Sequence, residues 1–157
     1  MMKKISLEKD IIEFIELCNK HDVRYLVIGG YAVSVHGYPR TTKDIDVCIE
    51  MSEKNASKMV QVINDFGFGS LKLGKEDFLK KDSITQLGFP PLRIDILNDL
   101  DGVGFEEAWN NKKIVDFEKV PVNFIGYNDL IKVKQKAGRT QDIADVDNLK
   151  KRNKNNK

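Results

Sequence analysis

Residues 44–50 alternate without a break. Ile45, Val47 and Ile49 fall on one side, and Asp44, Asp46, Cys48 and Glu50 on the other. A period of two is the geometry of a strand with one face on a core, so a chain containing this segment builds a sheet. The pattern returns at residues 92–97, where Leu92, Ile94 and Ile96 oppose Arg93 and Asp95. Each segment therefore carries carboxylates on the face turned away from its branched apolar residues.

The rest of the chain supplies partners for such a sheet. Apolar spacing predicts a helix over 6–20, with Ser6 as its N-cap. Residues 24–28 are continuously apolar after Arg24, as in a strand buried on both faces. Gly29 and Gly30 end it, and a short helix over 31–36 leads to a loop at 37–41 that contains Pro39. Ser52 caps a further helix to about residue 66. Strands are expected at 82–89, 114–117 and 122–125, and a short helix at 105–111. Two closing helices, 128–137 and 140–151, are separated by Gly138. The expected fold class is α/β: one domain over 1–149, with a mixed sheet of about five strands and helices mainly on one face. Five of the last eight residues are Lys or Arg with no acidic side chain among them. The segment 150–157 therefore reads as a basic, disordered tail.

Composition excludes some classes. With 157 residues and 32% charged side chains, the chain suits a well-solvated globular domain, and no apolar run reaches the ~20 residues of a spanning helix. The start carries two lysines, Lys3 and Lys4, but charged and polar residues soon follow, so no signal peptide is expected and the expected location is cytoplasmic. Cys18 and Cys48 lack metal-site spacing and read as free, largely buried thiols. Two histidines, His21 and His36, are too few for a histidine metal cluster.

The carboxylates need a partner. Asp44 and Asp46 leave the same strand face ~6–7 Å apart, where like charges repel unless a cation joins them. If the second alternating strand lies alongside, Asp95 joins the same patch. An all-oxygen set of this kind suits Mg²⁺ or Mn²⁺ rather than zinc. An Asp-x-Asp alone is more often the solvated face of a strand, and a lone Gly-Gly is usually an ordinary turn. Here the two occur together: a glycine pair that lets backbone approach a phosphate stands one strand before the acids.

The stretch Ile28-Gly-Gly-Tyr-Ala-Val-Ser-Val-His-Gly-Tyr-Pro-Arg-Thr-Thr-Lys-Asp-Ile-Asp-Val47 resembles the signature of the DNA polymerase β-like nucleotidyltransferase superfamily. Its His-Gly-Tyr-Pro-Arg portion resembles a bacterial subgroup that includes AbiEii-type toxins. So does the closing segment, with Lys134, Ala137-Gly-Arg139, Asp142 and Asp145. The resemblance implies metal binding and catalysis at Asp44, Asp46 and Asp95, and nucleotide contact at Gly29 and Gly30. It adds phosphate contact at Lys134 and Arg139. Many superfamily members carry Ser where Gly30 stands, which leaves the mode of phosphate binding open.

The implied reaction is metal-dependent transfer of NMP from an NTP, ATP among them, to a hydroxyl on tRNA, a protein or a small molecule. A toxin–antitoxin role, and a protein partner or second copy completing the site, are part of the same expectation. Asp95 is also the expected acceptor of the hydroxyl proton. Arg40 and Lys134 read either as triphosphate contacts or as solvated surface, and Arg139 with Asp142 either as substrate groups or as a helical ion pair. His36, Tyr31 and Trp109 are pocket or packing residues, and Asp145 reads as structural. One competing reading is a nucleotide-binding regulatory domain with weak or no transfer. A carboxylate hydrolase is another, supported by nothing beyond Asp-x-Asp.

Overall fold

The computed structural model describes residues 7–40, 44–89 and 92–155. The expected Ser6 cap, Thr41 of the first loop and the Pro90-Pro91 turn lie outside them. Helix α1, Lys9–Lys20, instead has Glu8 at its cap position, and it buries Ile11, Ile12, Phe14, Ile15 and Cys18. Strand β1, Tyr25–Ile28, is buried along its whole length. It passes directly into helix α2, Gly29–Val35, so both glycines lie inside the helix.

Strand β2 is Asp44–Ile49. Helix α3, Glu53–Ile63, starts at Ser52, whose hydroxyl accepts from the Asn55 amide. Tight helical turns follow over 64–78, with Gly67 at φ +100° breaking the helix. Then come β3, Ile84–Phe89, and β4, Leu92–Leu97. The chain continues as helix α4, Phe105–Asn110, strand β5, Lys113–Phe117, and strand β6, Val120–Phe124. It closes with α5, Tyr127–Ala137, and α6, Thr140–Asn155.

The strands form one mixed sheet of six, in the order β3-β4-β2-β1-β6-β5, in keeping with the expected mixed sheet of about five. The β4/β2 and β1/β6 pairs are parallel and the other three antiparallel. The all-apolar β1 sits inside the sheet, where both its faces are covered. The edges fall to β3 and β5, which expose Ile84 and Ile114.

Two expectations need correction. β2 is not half-buried throughout: Cys48 is as inaccessible as Ile45, Val47 and Ile49. Its polar face is therefore open only at the Asp44–Asp46 end. Helix α6 also continues through Asn155, over most of the tail expected to be disordered. Lys151 pairs with Asp147 one turn back, and Arg152 Nε donates to the Gly37 carbonyl. Both contacts favour extending a helix that is already nucleated. Both cysteines are free and buried, as expected. Among the described residues no helix is long and apolar enough to cross a membrane.

Candidate functional site

The parallel pairing of β2 with β4 sets Asp44 beside Arg93 and Asp46 beside Asp95. Because the register is even, all four side chains leave one face, while Ile45, Val47, Ile94 and Ile96 are buried on the other. The expected convergence of two strands' acids on one patch is therefore present in the register. Arg93 lies within the patch. Its Nε and Nη2 donate to the two Asp95 oxygens at 2.9 and 3.1 Å, and Nη2 is 3.0 Å from Asp44 Oδ2. With that fork inserted, no three His, Cys, Asp or Glu side chains among the described residues gather as a ligand group.

Asp46 accepts none of those three bonds. Burial, then the negative charges of Asp95 and Asp44, push its carboxyl up to about 6, against the opposing pull of Lys134 and Arg93. Gly29 is packed against it. A Cβ at Gly29 would collide with Asp46 Oδ2, and Gly29 also holds φ at +69°. Sterics and backbone both select glycine here, which ties the turn at the start of α2 to the carboxylate.

Gly29, Asp46 and Asp95 line a cavity of about 260 Å³. Lys134, Arg139 and Asp142 form another part of its wall, with Leu97, Leu130 and Ile84 adding apolar surface. Lys134 comes from α5 and is 6% exposed. Its ammonium sits 2.9 Å from Asp145 Oδ2 and 3.3 Å from Asp142 Oδ1. Asp145 is fully buried and also takes Arg40 Nη1 at 2.7 Å and Gln141 Nε2 at 3.0 Å. It thereby fastens the loop before β2 to the two closing helices. The i,i+3 pair of Arg139 and Asp142 is formed at 2.7 Å. Burial alone would raise the Asp142 carboxyl, but the hydrogen bond from Arg139 and the charge of Lys134 bring it below its ordinary value.

The remaining expected residues divide between the cavity and the packing. Lys134 and Arg139 line the cavity; Gly30 is buried behind Gly29, and Arg40 is turned to Asp145. His36 donates from Nε2 to the Ile125 carbonyl at 2.7 Å and meets Tyr127 edge-on, and burial lowers its pKa. Trp109 stacks on Phe105, with the Lys112 ammonium 4.0 Å from the centre of its ring. Tyr31 packs against the core, half-buried. These three aromatic residues are absent from the cavity lining.

Sequence reasoning missed Arg93 as part of the site, together with Asp99 and Asp101 on the cavity wall. The signal for Arg93 was present. The alternation that selects Asp95 also places Arg93, two residues earlier, on the same face.

A family model described as "nucleotidyltransferase of unknown function (DUF6036)" matches residues 7–154. No curated protein matches by sequence. Among solved structures, a proposed nucleotidyltransferase from Thermotoga maritima is 15% identical at a TM-score of 0.58, covering 87% of this chain and 88% of that one. The lincosamide antibiotic adenylyltransferase LnuA, solved with lincomycin bound, is 17% identical at a TM-score of 0.55, over 94% and 98% of the two chains. ANT(2″)-Ia, solved with adenylyl-2″-tobramycin, is 12% identical at a TM-score of 0.53, over 88% and 84%. At these identities the structures show a shared fold.

Proposed function

The chain belongs to the nucleotidyltransferase family described as DUF6036, and from that membership we propose that it transfers NMP from an NTP to a hydroxyl acceptor at the Asp46–Asp95 cavity, with pyrophosphate leaving. The observation that carries this reading is the pairing of Asp46 with Asp95 across β2 and β4, against the glycine turn of α2. In the same cavity, Lys134 and Arg139 supply positive charge on another part of the wall.

The donor chemistry suits a divalent metal, although with the Arg93 fork in place the acids do not gather as a ligand group among the described residues. Three carboxylates on one sheet face are an all-oxygen donor set, and the upward pressure on the Asp46 carboxyl is what a nearby cation relieves. Asp44, Asp46 and Asp95 would hold Mg²⁺ or Mn²⁺. When bound, such an ion neutralises triphosphate charge and stabilises the entering and leaving oxygens of an in-line displacement. Asp95 also serves as acceptor of the proton leaving the attacking hydroxyl. The missing side chain at Gly29 makes room for the Asp46 carboxylate and so keeps the start of α2 against the proposed site. Lys134 and Arg139, the cationic residues of the cavity wall, are held in place by Asp142 and Asp145 and are the candidate triphosphate contacts, while Arg40 is tied to the same buried Asp145 as Lys134.

ATP is the first nucleotide to test, since LnuA is by name a lincosamide antibiotic adenylyltransferase and ANT(2″)-Ia was solved with adenylyl-2″-tobramycin. These two neighbours favour a small-molecule hydroxyl as one acceptor class. The resemblance of the closing segment to AbiEii-type toxins favours tRNA or a protein, a toxin–antitoxin setting and a partner protein or second copy. In either case the reaction belongs to the cytoplasm, where nucleoside triphosphates are held.

A second reading, a nucleotide-binding regulatory domain without transfer, draws support from one observation: Arg93 already engages both Asp95 oxygens. Incubation with each labelled NTP, Mg²⁺ or Mn²⁺ and either total tRNA, lysate protein or hydroxylated small molecules separates the two. A labelled acceptor that disappears with Asp46→Asn supports transfer. Nucleotide binding with no labelled product supports the regulatory domain.

A further inference from the structure

Arg93 sits among the three acids and is explained neither by them nor by the glycine turn. Its fork occupies both oxygens of Asp95 and reaches Asp44 Oδ2, while none of these bonds goes to Asp46. The cross-strand register places it directly beside Asp44 and two residues before Asp95, so the backbone sets this geometry. A guanidinium fork on a carboxylate is a strong, charge-assisted bidentate contact. It is also positive, so it opposes any cation that approaches the same oxygens. The Arg93 side chain is 30% exposed, which leaves it a path outward.

We infer that Arg93 and a divalent cation use the same carboxylate oxygens, and that the cation binds by displacing the Arg93 guanidinium from Asp44 and Asp95. This rests on the proposed metal site. It gives Arg93 a positioning role: it holds the two acids at their places on the sheet face and sets how tightly the site takes its ion. A purely structural ion pair, by contrast, keeps its contacts whether or not a cation is added.

The test is an NMR titration of the ¹⁵N-labelled protein with Mg²⁺. The Arg93 Nε–H crosspeak, assigned by its loss in Arg93→Lys, reports the fork, and the backbone amides of Gly29 and Asp46 report metal arrival. The expected result is that the crosspeak moves toward the position of a solvent-exposed arginine in step with those amides. Arg93→Gln is expected to bind Mg²⁺ roughly tenfold more tightly, the scale of losing one competing charge-assisted contact. A crosspeak that stays fixed while the amides titrate overturns the inference and leaves the metal site standing. An unchanged Mg²⁺ affinity in Arg93→Gln does the same. If neither the amides nor the crosspeak respond at any Mg²⁺ concentration, the metal site falls and the inference with it. Should Arg93→Gln fail to fold, the wild-type crosspeak decides alone.

Discussion

Replacing Asp46 by Asn is expected to make the metal-free protein more stable while removing its activity. The Asp46 carboxyl is pushed from 3.8 to about 6 by burial and by two neighbouring acids. That gap of roughly two pH units, at about 1.4 kcal/mol per unit, amounts to about 3 kcal/mol of folded-state penalty once the group is ionised. Below about pH 4 the carboxyl is protonated in both states and carries no penalty. Between about 4 and 6 the unfolded chain ionises while the folded protein keeps the proton, so wild-type stability falls as pH rises. Above about 6 the penalty is complete and constant. An isosteric amide escapes it, at the cost of placing its own donors in a site built for an anion. The expected net gain is therefore about 1–3 kcal/mol at pH 7, or roughly 3–10 °C in Tm for a chain of this size. The assay is a series of thermal melts from pH 4.5 to 7.5 in chelator. The Tm gap between variant and wild type should be full at pH 7 and, in free energy, smaller by about 2 kcal/mol at 4.5, where only about a third of the electrostatic penalty is left. An Asp46→Asn protein less stable than wild type at pH 7, or a gap that does not change with pH, refutes the electrostatic reasoning.

Added Mg²⁺ should narrow that gap. A cation at ten times its Kd stabilises wild type by about 1.4 kcal/mol and leaves Asp46→Asn unmoved; equal Tm shifts in both proteins would place the ion elsewhere. Asp145→Ala leaves Arg40 and Lys134 without their buried partner and should cost about 3–5 kcal/mol in urea unfolding; a loss under about 1 kcal/mol contradicts the anchoring role. The β5–β6 turn holds Glu118 and Lys119 at φ +50° and +70°, a geometry that favours Asn-Gly. Glu118→Asn with Lys119→Gly should raise Tm by a few degrees without changing transfer, and a lower Tm would mean that those side chains make contacts worth more than the relieved strain.

Local periodicity carried much of this structure. Alternation alone placed Asp44, Asp46 and Asp95 on polar strand faces, and the unbroken apolar run at Tyr25–Ile28 marked the strand buried on both sides. What periodicity cannot supply is adjacency. Nothing local says that β4 lies parallel to β2 with Asp46 opposite Asp95, because that pairing joins segments far apart in the chain. For Arg93, alternation gave the face it shares with Asp95, but its reach to Asp44 across the strand gap depends on that same pairing. The burial of Cys48 likewise depends on what covers that end of the sheet. The helical course of residues 150–155 was hidden because their composition is that of a solvated segment, while the preceding helix and a bond to the Gly37 carbonyl carry them on.

Diffraction from crystals grown with Mn²⁺ and a non-hydrolysable NTP, collected at the manganese edge, addresses the proposed site most directly. An anomalous peak in coordination distance of the Asp46 and Asp95 carboxylates, with the triphosphate beside Gly29, is the predicted result. Nucleotide bound away from this sheet face, or bound there with manganese touching neither acid, would contradict it.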